Sequence, residues 1–176
     1  MNRFKVSTLA TIAASLIAVP VLSLAADKNP DADFFKHAAE AGIAEVEAGK
    51  LAQDKGSSPA VKDFGAMMVK DHTAAADKLK SIAAAENVDL PSTSSVKDMA
   101  TKAKLEVLTG DTFDKSYIKG QVTAHRQAVA LFRKEAASGQ DAQAKAFAAA
   151  TLPTLKAHLK KIDGIAADAG VTSKAK

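Results

Sequence analysis

Between Asp31 and Asp168 the chain has only four clusters of helix-breaking residues, and no stretch between them alternates polar and apolar residues as a strand would. The clusters are Gly56 to Pro59, Asn87 to Pro91, Thr109-Gly110 and Ser138-Gly139. Each intervening segment repeats its apolar residues at intervals of three and four. At about 100° per residue this puts them on one side of a helix. The pattern predicts four long amphipathic helices and one short one. The first runs from Asn29-Pro30-Asp31 to Lys55. The second is opened by Ser58 as cap with Pro59 at the first helical position, and it runs to about Glu86. A short helix follows, from the capping pair Ser95 and Asp98 to Thr109. The last two long helices open at Asp111-x-x-Asp114 and at Asp141 and end at Ser138 and about Asp168.

The apolar stripes name a core. They are Phe34, Ala38, Ala41, Ala48 and Ala52 on the first helix, and Val61, Phe64, Met68, Ala75, Leu79 and Ile82 on the second. Phe113, Tyr117, Ile118, Val122, Val129 and Phe132 follow, then Phe147, Leu155, Leu159, Ile162 and Ile165. Four such stripes bury one another only as a bundle, so the expected fold class is all-α, a four-helix bundle. Much of the apolar content is alanine. Small faces let helices approach closely, so the interior is expected to hold few large cavities. Pro153, inside the last helix, removes one backbone hydrogen bond and is expected to kink it.

The start of the chain carries Arg3 and Lys5, then an apolar stretch from Val6 to Leu24 that ends in Ser23-Leu24-Ala25. This is the pattern of an export signal cut after Ala25. The expected organisation is residues 1–25 as signal peptide, 26–170 as the bundle and 171–176 as a flexible tail, with no membrane span left after cleavage. Without Arg3 and Lys5, 22 of the 24 basic residues remain against 20 acids. That near-neutral balance gives no electrostatic support for nucleic-acid binding. Cysteine is absent, which excludes disulfides, thiolate metal sites and a cysteine nucleophile. No phosphate-cradling glycine loop and no nucleophile elbow is present.

Unusual chemistry is confined to the histidines. His37 falls on the polar edge of the first helix and is read as solvated. His72 falls within the Met68, Ala75 and Leu79 stripe, His125 between Val122, Val129 and Phe132, and His158 beside Leu155, Leu159 and Ile162. Glu45 is the one acid on the apolar side of the first helix, whereas Glu47 faces out. All four residues lie near the middles of their helices, so three imidazoles and a carboxylate are expected in one central layer. Buried polar groups need partners. Either the four hydrogen-bond to one another, with a trapped water, or His72, His125, His158 and Glu45 ligate one divalent transition metal. The heights favour a crossover in which the second helix and the Phe113 helix run parallel, because the layer then closes on itself. Met67-Met68 is read as core. Lys115, Lys119, Arg126 and Arg133 form a basic face on the fourth helix, a solvated face or a contact to an anionic envelope surface.

Several ordered motifs carry a resemblance. They are Glu45-Val46-Glu47-Ala48-Gly49-Lys50-Leu51-Ala52, then Val61-Lys62-x-Phe64 leading to Met68-Val69-Lys70-Asp71-His72, then Phe113-Asp114-x-x-Tyr117 with His125, and Leu152-Pro153-x-Leu155-x-x-His158-Leu159. In this the chain resembles the domain of unknown function 4142, a bacterial family often labelled outer-membrane or secreted protein and similar to ferritin-like bundles. The resemblance covers roughly Asp31 to Ala167. It implies a ferritin-like four-helix bundle with an additional short helix between the second and third long helices, and a periplasmic location, with outer-membrane association as the family label suggests. It implies no activity. The chain departs from di-iron ferritin-like proteins, which carry Glu-x-x-His on two helices. Val69 stands three residues before His72 and Val122 three before His125. The expected role is a non-enzymatic periplasmic ligand-binding, metal-binding or envelope-stress protein. The alternatives are a metal-dependent redox enzyme with a mononuclear His-rich site and an envelope interaction module using the basic face.

Overall fold

The computed structural model describes residues 29–171. The expected signal peptide, its cleavage site after Ala25 and the tail from Thr172 onward lie outside the described residues. Five helices appear: α1 (Ala32–Lys55), α2 (Pro59–Ala85), α3 (Val96–Glu106), α4 (Gly110–Ser138) and α5 (Ala142–Asp168). Their limits follow the breakers. The Ser58 hydroxyl accepts from the Val61 amide at 3.2 Å, Ser95 from Asp98 at 3.2 Å and Asp141 from Ala144 at 2.7 Å. Each of these caps satisfies a backbone donor that the first turn leaves free.

The start of α4 departs from expectation. Asp114 does not cap its own helix. Its two carboxylate oxygens accept from the backbone amides of Ser57 and Ser58, at 2.9 and 2.8 Å, and so pin the α1–α2 turn to α4. A side chain spaced for a local cap has been captured by donors 56 and 57 residues away. The cap position of α4 is Thr109, with no side-chain hydrogen bond, and Gly110 takes φ +60°, which suits a residue without Cβ. α5 continues through Pro153, whose ring is exposed.

Two apolar clusters fix the topology. One contains Phe34, Phe35, Leu79, Ala83, Val129, Phe132, Phe147 and Leu155, and the other Ala52, Val61, Phe64, Met68, Phe113, Ile118, Val122 and Ile162. Along the chain, α1 and α5 pass from the first cluster to the second, while α2 and α4 pass from the second to the first. The second and fourth helices are therefore parallel. α1 packs along α2 and α4 along α5, and the two hairpins join through α1 against α4 and α2 against α5. This is a ferritin-like four-helix bundle with a crossover between its halves. α3 forms part of that crossover. Val88 and Leu90 touch the first cluster, Leu105 and Leu108 belong to or touch the second, and Lys102 reaches Glu47 on α1 at 3.8 Å. The basic residues Lys115, Lys119, Arg126 and Arg133 are exposed on α4, with Arg126 paired to Asp163 at 3.5 Å. Among the described residues no helix is long and apolar enough to cross a membrane.

The α1–α2 contact is as close as the small residues suggested. A Cβ on Gly65 would lie 2.7 Å from the Ala52 Cβ and 2.7 Å from the Gly49 carbonyl oxygen. Gly42, on α1, would meet nothing within 4 Å. The same substitution should therefore act in opposite directions at the two sites. Gly42→Ala should stabilise by about 0.5–1 kcal/mol through helix propensity. Gly65→Ala should destabilise by about 1–2 kcal/mol, overpacking outweighing that gain. Urea unfolding of the two variants checks this, and a shift of the same sign in both would contradict the packing described.

Elsewhere the expectation of few large cavities is wrong. A cavity of about 600 Å³ opens beside the central layer, with Gly42, Ala41, Ala75 and Ala128 in its wall. The short side chains that let α1 and α2 touch leave space where the helices diverge.

Candidate metal centre

Between the two apolar clusters lies a layer of buried polar side chains: Glu45 from α1, His72 from α2, Gln121 and His125 from α4, and His158 from α5. Each sits on the same helical face as its apolar neighbours, which is why a polar group ends in the interior. His125 is fully buried, and His158 and His72 are 3% and 8% exposed. The ring centroids of the three histidines form a nearly equilateral triangle, with sides of 5.8, 5.6 and 5.4 Å. One nitrogen from each ring lies within 4.8 Å of those of the other two.

Hydrogen bonds settle the tautomers of two rings. His125 Nδ1 lies 3.1 Å from the Gln121 carbonyl oxygen, which can only accept, so Nδ1 carries the proton. His158 Nε2 donates to the Asp71 carboxylate at 2.9 Å. The lone pairs then fall on His125 Nε2 and His158 Nδ1. Both atoms are buried without a hydrogen-bond partner, as is His72 Nε2. These three nitrogens make no direct hydrogen bond to one another. His125 and His158 therefore turn lone pairs, not protons, toward the other rings.

The surroundings keep the rings uncharged. Burial pushes His72 down from 6.5 to about 3, helped by His125 and His158, and burial pushes His125 down to about 4. His158 is also lowered by burial, against the opposing pull of Asp71. Neutral imidazoles are the ligating form, and a carboxylate or carbonyl behind a ring is the usual orienting partner of a metal-bound histidine. Asp71 and the Gln121 carbonyl occupy those positions.

Glu45 is placed differently from the three rings. Its Oε1 lies 3.7 Å from His125 Nδ1, the nitrogen that carries the proton, and it is not among the three grouped donors. Burial raises its carboxyl from 4.5 to about 7, with the Gln121 side chain pulling the other way. Tyr117, whose buried hydroxyl has no partner, feels its charge. Glu45 thus backs the layer. His37 is exposed and pairs with Glu40 at 3.5 Å.

Asp71, Gln121 and Tyr117 were not singled out as site residues from the sequence. Asp71 reaches His158 across 87 positions of chain, a pairing that no local spacing announces. Gln121 does precede His125 by one helical turn, so its carbonyl is the natural acceptor for that ring.

Comparison with known proteins agrees with the fold. The family model described as "Domain of unknown function (DUF4142)" matches residues 19–165. No match by sequence was found among curated proteins. Among solved structures, a DUF305 fragment from Deinococcus radiodurans is similar, with TM-score 0.69 and 10% identity over 78% of this chain and 95% of that one. A candidate secreted DUF305 protein from Streptomyces coelicolor has TM-score 0.70 and 15% identity, over 85% of this chain and 99% of that one. At these identities the likeness is one of fold.

Proposed function

The chain belongs to the DUF4142 family, a domain of unknown function, and we propose that it is an exported metal-binding bundle whose His72, His125 and His158 hold one divalent transition metal. The observation that carries this reading is the set of three buried, partnerless ring nitrogens on three different helices, each within 4.8 Å of the others. Ligands around a tetrahedral ion at about 2.0–2.1 Å stand roughly 3.4 Å apart. Closing from 4.8 Å asks each ring to move by about 1 Å or less. Three neutral nitrogens suit zinc, copper or nickel more than magnesium or calcium. The carboxylate pairs of a di-iron site are missing, so the reading is mononuclear. Three protein ligands leave a fourth position open, and such a metal supplies Lewis acidity there. Asp71 and the Gln121 carbonyl would hold the His158 and His125 rings in the ligating tautomer. Glu45 stands behind His125 as an orienting group.

Export rests on the basic start, the apolar stretch and Ser23-Leu24-Ala25, and a periplasmic location follows from it within this proposal. One experiment addresses both parts. Untagged protein recovered from the periplasm should carry about one metal atom per chain by elemental analysis, and its intact mass should correspond to a start at Ala26. Protein with no metal, which also takes up none from micromolar zinc, would overturn the metal reading. A mass that retains residues 1–25 would overturn the processing.

A further inference from the structure

The cavity of about 600 Å³ beside the histidines has a composition of its own. One end is polar: Glu45, Asp71, His72 and His158 line it, and the buried His72 Nε2 and His158 Nδ1 have no hydrogen-bond partner. The remaining wall is largely apolar, with Leu79, Leu131, Phe132, Phe147 and Leu155 prominent. The volume lies in the range of small-molecule sites, and so does the pattern of an apolar chamber with a few convergent polar groups. The wall is also kept open at a cost. Gly42 stands in mid-helix, where glycine is the poorest residue short of proline, and nothing lies within 4 Å of where its Cβ would be. Packing therefore does not demand glycine there, and the position leaves room for a larger side chain to reach into the chamber.

We propose that this cavity binds a small amphiphile, with a carboxylate head at the open position of the three-histidine metal and an aliphatic body against Leu79, Phe132, Phe147 and Leu155. The proposal rests on the metal reading above. It adds the class of ligand. Three neutral imidazoles leave both charges of a divalent ion uncompensated within its own shell, since Asp71 beside His158 and Glu45 beside His125 both stand outside it. An anionic oxygen donor brings negative charge into the shell, and a neutral head of the same size does not. The apolar wall excludes a strongly hydrated ligand such as a sugar or a nucleotide, which would find few hydrogen-bond partners there.

The test is calorimetric titration of decanoate, below its micellar concentration, into the full mature chain with and without bound zinc. Decanoate should bind the zinc-loaded protein at least tenfold more tightly than the metal-free protein. 1-Decanol should bind both forms alike and more weakly than decanoate binds the zinc form. Gly42→Leu fills the chamber from a position with open space and a gain in helix propensity, so it folds. It should weaken decanoate binding at least tenfold and leave the zinc affinity within twofold. Equal binding of decanoate to Gly42→Leu and the parent overturns the cavity as the site. Equal binding to zinc-loaded and metal-free protein overturns the placement of the head. Zinc uptake with no decanoate binding refutes this inference and leaves the metal reading standing, whereas failure of zinc to bind brings down the metal reading first and the head group with it.

Discussion

His72→Leu is expected to abolish the stabilisation that a divalent metal confers while leaving the metal-free protein within about 1 kcal/mol of the parent. Metal at a hundred times its dissociation constant stabilises a protein that binds it only when folded by about 2.7 kcal/mol. For a chain of this size that is roughly 5–10 °C in Tm. Leucine has nearly the volume of histidine and brings no polar atom. In the metal-free protein the substitution removes a buried nitrogen, Nε2, that has no partner, so little favourable interaction is lost with it. Were His72 an ordinary hydrogen-bonded core residue, the result would be the reverse: a loss of about 1–3 kcal/mol with or without metal. Thermal unfolding of parent and variant, each with EDTA and with zinc, separates the cases. Asp71→Asn provides the graded control. It keeps all three ligands and weakens the orientation of His158, for which a drop in metal affinity of about 10–100-fold is the usual consequence.

The bundle was legible because its signals are local and redundant. Ser58-Pro59, Ser95, Asp141 and the glycines at 56 and 139 mark helix ends whatever the tertiary structure, and the observed limits follow them. The parallel arrangement of α2 and α4 was legible for a less common reason. A buried polar group on each helix acts as a height mark, and only a crossover lets Glu45, His72, His125 and His158 share a level. Phe35 and Ala39 were missed as core residues. They are buried beside Phe34 and Ala38 because α1 is enclosed on more than one side, and a single-stripe reading of a helix cannot see that.

What was not legible depends on contacts across the chain. Asp114 has the spacing of a local cap, yet its carboxylate serves the α1–α2 turn. Asp71 is exposed enough to pass for one more surface acid, and only the fold brings it to His158. A helical wheel put Glu45 in the layer but could not tell which nitrogen of the His125 ring it would approach. The cavity was hidden for a related reason. Alanine and glycine permit both close approach and empty space, and which of the two results depends on the local separation of the helices. At Gly65 the α1 backbone is within touching distance, and at Gly42 nothing is.

The second large effect expected is in acid, and its shape follows from opposing shifts. In the metal-free protein burial keeps His72 and His125 neutral well below 6.5, the ordinary value at which the unfolded chain takes up protons on them, and shifts His158 in the same direction. Below pH 6.5 the unfolded state therefore binds more protons at these sites, and stability falls as pH falls, by at most about 1.4 kcal/mol per unit for each histidine. For His125 and His72 this continues to about pH 4 and about pH 3. Glu45 acts in the opposite sense. Its folded carboxyl protonates near pH 7 and its unfolded one near 4.5, so between those values the folded state binds the extra proton and gains stability as pH falls. Glu135, raised to about 7 by burial and by the neighbouring Asp31, adds to this. From pH 6.5 to 4.5 the two glutamates offset much of what the histidines lose, and the net slope is shallow. Below 4.5 the glutamates are protonated in both states and oppose nothing, so the loss at His72 and His125 is uncompensated, Asp141, whose carboxyl is held below its ordinary value, adds to it, and the slope steepens. The expected profile is a maximum near pH 6.5, a gentle shoulder to 4.5 and a steep loss beneath it. Glu45→Gln should remove one opposing proton and steepen the shoulder, and His72→Leu should flatten the acid limb. Urea titrations at half-unit intervals from pH 3.5 to 8 read this directly. A stability that falls with a single constant slope from neutrality downward, unchanged by either substitution, would show that the layer is not held neutral in the folded protein.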